Sequence, residues 1–129
     1  MKPLKKQMLG LFIYGLGLGL CATAHAEAPV GDFIVRGKNA GDSREYKGQV
    51  SVIKSGDTYT VMWRFGGTTY IGTGVEMNNS FAVAFKPSET LQVGLLLLQK
   101  KDKVWQGKWT QMGAKTVGVE TWIGYQKQP

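Results

Sequence analysis

The chain has 129 residues, 16 Lys and Arg against 9 Asp and Glu, a formal net charge of +7, and a single Cys and a single His. One Cys cannot close an internal disulfide, and one Cys with one His is too few for a Cys/His zinc site. The excess of positive charge is modest, so it favours solubility and does not by itself call for nucleic acid.

The first 26 residues follow the three-part pattern of a secretory signal. Lys2, Lys5 and Lys6 form a positive start, Met8 to Leu20 is uncharged and apolar, and Ala24-His25-Ala26 supplies small residues at a cleavage site before Glu27. The run Met8 to Ala24 is 17 residues long and rich in Gly, at the lower limit for a membrane-spanning helix. Cleavage near Ala26 and a periplasmic or secreted location are therefore expected. Cys21 follows Leu20, which is too large for a lipoprotein signal, so the Cys is expected to leave with the leader; otherwise it is a lipid anchor. Removing the leader takes away the only Cys and His and lowers the net charge to +4. Thiol nucleophiles, histidine bases, Ser-His-Asp triads and Cys/His metal sites are excluded from residues 27–129. No cofactor and no catalytic residue are expected.

The remaining chain alternates with period two between turn signals. Asp32 to Gly37 predicts a short first strand. Tyr46 to Lys54 sets Tyr46, Gly48, Val50 and Val52 on one face. After the turn Ser55-Gly56-Asp57, Thr58 to Phe65 sets Tyr59, Val61, Trp63 and Phe65 against Thr58, Thr60, Met62 and Arg64. Gly66-Gly67 predicts a two-residue turn, Thr69 to Met77 a fourth strand, and Asn78-Asn79 another turn. Phe81, Val83 and Phe85 alternate with Ala82 and Ala84 until Pro87-Ser88. Leu91 to Gln99 is the sixth strand, Lys100-Lys101-Asp102 a charged turn, Lys103 to Gln111 the seventh strand, and Thr116 to Tyr125 the eighth.

Eight strands with short connections predict an all-β, antiparallel up-and-down meander in one domain, residues 27–129. Closing it into a small barrel removes exposed edges; a two-sheet sandwich is the alternative. The unit aromatic-x-Gly recurs at Tyr46-Lys47-Gly48, Tyr70-Ile71-Gly72 and Trp105-Gln106-Gly107, as expected where a ring packs over a glycine on the next strand.

Several groupings bear on function. Trp63, Trp105, Trp109 and Trp122 are candidates to line a pocket, because an eight-stranded barrel either fills with side chains or holds one small ligand. Arg64 and Glu120 sit inside strands. If they face inward they must be paired, with each other or as polar anchors of the pocket; otherwise they face solvent. Lys100, Lys101 and Lys103 mark a solvated hairpin tip whose charges block edge aggregation; the alternative is a contact with lipopolysaccharide, an acidic glycan or nucleic acid. Leu95, Leu96, Leu97 and Leu98 give one strand two apolar faces, so the outer one needs cover, by a second copy of the chain or by segment 27–40.

The rhythm Tyr46-x-Gly48-x-Val50, Tyr59-x-Val61-x-Trp63, Tyr70-x-Gly72-x-Gly74, Trp105-x-Gly107-x-Trp109 and Gly118-x-Glu120 resembles a group of small exported bacterial β proteins, some labelled fibronectin-binding protein. The resemblance covers most of residues 27–129. Its label implies a host-protein partner, although no residue here carries that claim. In strand count the chain is also similar to avidin and lipocalin-like barrels, without the biotin-pocket residues of avidins. The sequence thus predicts a non-catalytic exported β-barrel that binds a small apolar or amphipathic ligand. The alternative is a protein-interaction module, adhesin-like or inhibitor-like, that meets a host or envelope protein. A transmembrane barrel is disfavoured by short strands and a C-terminus without an aromatic residue.

Overall fold

The computed structural model describes residues 28–125. The expected leader, its cleavage site, Cys21 and His25 lie outside the described residues. Eight antiparallel strands follow: β1 (Gly31–Lys38), β2 (Glu45–Ser55), β3 (Thr58–Phe65), β4 (Thr68–Met77), β5 (Ser80–Pro87), β6 (Gly94–Lys101), β7 (Val104–Gln111) and β8 (Gly118–Gly124). Each pairs with the next, and β8 returns to β1 from Phe33↔Gly124 to Lys38↔Val119. The sheet is therefore a closed barrel with no free edge, and the sandwich alternative is ruled out.

Turn chemistry sets the pairing. Two-residue loops join β2 to β3, β3 to β4, β4 to β5 and β6 to β7, each bracketed by a paired residue on either side. Asn78 and Asn79 both have positive φ, 46° and 65°, the backbone of the mirror-image turns that match strand twist. Three connections are longer: residues 39–44, 88–93 and 112–117. All three lie at one end of the barrel. The opposite end has only tight turns and the two chain ends of the barrel.

Alternation decides which side chains enter the interior. Val35, Val50, Val52, Val61, Phe81, Val83, Leu96, Leu98 and Trp122 are almost wholly buried there. Arg36, Lys47, Gln49, Arg64 and Lys108 are exposed on the outer wall, beside the exposed apolar Ile53, Val75, Leu95, Leu97 and Val119.

The sixth strand starts later than its pattern suggests. Leu91-Gln92-Val93 alternates, yet Phe85↔Gly94 is the last rung of the β5–β6 ladder, so these three residues have no partner strand there. Leu91 is exposed. The leucine run splits as alternation requires. Leu96 and Leu98 enter the core, while Leu95 and Leu97 remain 60% and 53% exposed outside. The described part of segment 27–40, residues 28–40, does not cover them, because its strand β1 closes the barrel between β8 and β2.

The aromatic-x-Gly unit at Gly48 is a seat as expected, where the Phe65 ring lies beside the Arg64 carbonyl; at Gly72 the Ala84 carbonyl and Val83 lie nearer than the Trp63 ring. Gly107 differs: the space a Cβ would fill there is taken by the backbone of Leu97 and Leu98, not by a ring.

Candidate functional site

The interior is filled at one end and hollow at the other. Towards the tight-turn end, Val52, Tyr59, Phe81, Leu98, Trp105 and Trp122 pack into a solid plug. At the end with the three long loops lies a cavity of about 270 Å³ that opens to solvent. Its walls are Tyr46, Phe65, Tyr70, Phe85, Leu96 and Trp109, its floor Trp63 and Glu120, and Asn39 and Gln111 add amides to its lining.

Five rings form a closed circuit. Neighbouring centroids are separated by 5.3 Å for Tyr46–Phe65, 5.8 Å for Phe65–Tyr70, 6.1 Å for Tyr70–Phe85, 6.4 Å for Phe85–Trp109 and 6.3 Å for Trp109–Tyr46. Four of them are seated on glycines of an adjacent strand: Tyr46 on Gly37, Phe65 on Gly48, Phe85 on Gly94 and Trp109 on Gly118. A Cβ at any of these glycines would collide with the ring. The missing side chains let the rings settle against the wall, and so leave the centre empty.

Glu120 is the one charged residue in this interior, 6% exposed. Strand β8 places it on the same face as Gly118 and Trp122, so alternation carries it inward with them. The Tyr46 hydroxyl donates to its Oε1 at 2.6 Å, and the indole N–H groups of Trp63 and Trp122 donate to Oε2 at 3.0 and 2.8 Å. Among the described residues no Lys or Arg pairs with it; the ion pair there is Arg44–Asp42 in the β1–β2 loop. Three donors stabilise the carboxylate form, but burial outweighs them and pushes the Glu120 carboxyl above the usual range. Burial, and next the nearby Glu120, push the Tyr46 phenol up as well. Trp109 Nε1 is buried without a hydrogen bond; its N–H lies near enough to favour a Tyr46 phenolate weakly, but closes no bond with the hydroxyl.

This arrangement sets a pH dependence. The folded pKa of Glu120 lies above its unfolded value, so between the two the native state binds more protons. The contribution of this group to stability is therefore greatest at acid pH. It falls as pH rises from the ordinary carboxylate range through the raised folded value. Glu120→Gln removes the titration but keeps the shape and an acceptor for the indoles. Urea midpoints from pH 4 to 8 are expected to favour the native protein over the variant most at the acid end; a difference constant across that range contradicts this account.

Of the residues singled out from sequence, Trp63, Trp109 and Glu120 meet in the cup. Trp105 and Trp122 belong to the plug beneath it, with Trp122 reaching the cup only through its N–H on Glu120. Arg64 does not take part. It points out of the barrel, with Met62 Sδ at 3.5 Å from its Nη2, so the Arg64–Glu120 pair does not exist. Trp63 faces inward, and alternation then forces Arg64 outward. Tyr46, Phe65, Tyr70 and Phe85 were not singled out as a site, although each lies on the same strand face as a core residue or an interior glycine.

Chemically, the cup can hold and orient a small molecule. It presents one hydrogen-bonded carboxylate, with the phenols of Tyr46 and Tyr70 as the other titratable groups of its lining. Among the described residues no three of His, Cys, Asp and Glu gather as metal ligands.

No family model matches the sequence, and no curated protein matches it. Among solved structures the chain is similar to one titled REP1-NXSQ fatty acid transporter. The TM-score is 0.53 and the identity 11%, over 77% of this chain and 97% of that one. At that identity the likeness concerns the fold: another small β-barrel.

Proposed function

We propose that this protein is an exported, non-catalytic barrel that carries a small apolar or amphipathic molecule in the cup between Trp63 and the long loops. The observation that carries the reading is the half-filled interior. Four of the aromatic side chains around the cup are held against the wall on glycine seats, and a cavity of about 270 Å³ is left open. This is just under the roughly 300–1,000 Å³ of drug-sized sites, which suits a compact ligand. The fatty acid transporter with a similar fold is in keeping with an apolar cargo.

Trp63 and Trp109 face the cup, so intrinsic fluorescence reports on it directly. The experiment uses the full chain expressed with its leader, recovered from the cell envelope or medium and shown by mass to begin at Glu27. Medium-chain alcohols, fatty acids and alkylamines are titrated. A saturable change in Trp emission with at least one class is expected, weakened in Trp109→Phe. A flat response to every class removes the proposal, and a mass that retains residues 1–26 removes the export.

A further inference from the structure

The five rings of the wall surround one space, an enclosure that an apolar cargo does not need. Their successive interplanar angles are 85°, 77°, 64°, 73° and 67°. Each pair makes an edge-to-face contact, so the rings stand steeply to one another around the cup. In a flat, regular ring of five, sides of these lengths put the centre about 5 Å from each centroid, within the roughly 6 Å reach of a cation–π contact. Each ring face carries negative quadrupole potential, so every ring that turns its face to that centre adds to the attraction for a cation. Below them lies Glu120, whose carboxylate meets three neutral donors and, among the described residues, no cation.

The geometry points to an organic cation as the cargo: a compact alkylammonium whose charged head sits inside the five-ring wall above Glu120. This rests on the reading that the cup holds a ligand and specifies its charge. A quaternary ammonium fits best. Its charge is spread over methyl groups that match π faces, and it does not require the hydrogen-bond acceptors that a primary ammonium would leave behind in water. A fatty acid would bring a second negative charge towards the floor if it entered head first.

The test compares three probes on the full-length processed protein by calorimetry and Trp emission. Choline supplies the cation, 3,3-dimethylbutanol is its neutral isostere, and octanoate is an anion of comparable bulk. Choline is expected to bind at least about tenfold more tightly than the alcohol. Glu120→Gln should weaken choline by about tenfold while changing the alcohol less than twofold. Tyr70→Leu lies outside the Glu120 hydrogen bonds and keeps an apolar wall, so it provides an independent check; it should also weaken choline selectively. Equal or tighter binding of the alcohol or of octanoate overturns the cation and leaves the apolar cup standing. Equal losses of choline and alcohol in both variants overturn it too. No response to any probe removes both readings.

Discussion

Trp122→Ala is expected to remove about 3–5 kcal/mol of stability, the range for deleting a large buried aromatic. Trp122 is wholly buried. It stands between the plug and the cup, with ring centroids 5.7 Å from Phe33, 6.0 Å from Trp63 and 6.1 Å from Phe81. Alanine there opens a void that these three rings can close only by moving together. It also withdraws the N–H that donates to Glu120 at 2.8 Å. Two effects are thus combined, and they are not additive because both act through the same floor. Trp122→Phe separates them. It keeps a six-membered ring but removes the donor and part of the indole, for an expected loss of about 1–3 kcal/mol. With one donor fewer, the Glu120 carboxyl should be pushed further up, so the Phe variant should lose stability more steeply as pH rises. Urea denaturation of both variants at two pH values measures this. A Trp122→Ala protein within about 1 kcal/mol of the native one would show that the plug repacks freely, against the close packing of such interiors.

How much of this was legible in the chain depends on the quantity asked for. Strand number and the inward or outward sense of each residue follow from period-two alternation, which needs no knowledge of the partner strand; the turn expected at Lys100-Lys101-Asp102 falls instead at Asp102-Lys103, because Lys100 and Lys101 still pair with β7. Tyr59, Val61 and Trp63 go in, and Thr60, Met62 and Arg64 go out or to the rim of the wall. The same alternation places Glu120 with Trp122 and separates it from Arg64. Height along the barrel is a different matter. Trp105 and Trp109 share a face of β7, yet one packs in the plug and the other walls the cup. Only the register of β7 against β6 and β8 decides which is which. The glycine seats are equally non-local: Gly37 meets Tyr46, and Gly118 meets Trp109, across ladders whose register is fixed by turn lengths and closure. The cavity is the sum of such pairings, so the list of aromatics pointed to it without locating it. The β6 start failed for a related reason: alternation at Leu91-Gln92-Val93 gives no sign that the β5–β6 ladder has already ended.

Gly107→Ala is expected to be more damaging than any substitution at the ring seats, with a loss of at least about 3 kcal/mol. Gly107 lies in β7 opposite Leu98 on one side and Glu120 on the other. A Cβ built there runs into the carbonyl oxygen of Leu97, with Leu97 C at 2.8 Å and Leu98 Cα at 2.9 Å. All three atoms belong to the backbone, so no rotamer change relieves the overlap. Strands β6 and β7 must move apart, and a closed barrel has no free edge along which to shed the displacement. The movement therefore reaches β8 and the floor carboxylate opposite. Gly118→Ala is the informative contrast. There the added methyl meets the Trp109 indole, which borders the empty cup and has space to turn into it. That variant should stay folded with a smaller loss and a blocked cup, whereas Gly107→Ala should broaden or abolish the unfolding transition itself. Thermal and urea unfolding of the two proteins side by side distinguishes them. A Gly107→Ala transition matching the native one would mean that β6 and β7 do not need their close approach, and that the tight coiling of this wall is not what holds the barrel closed.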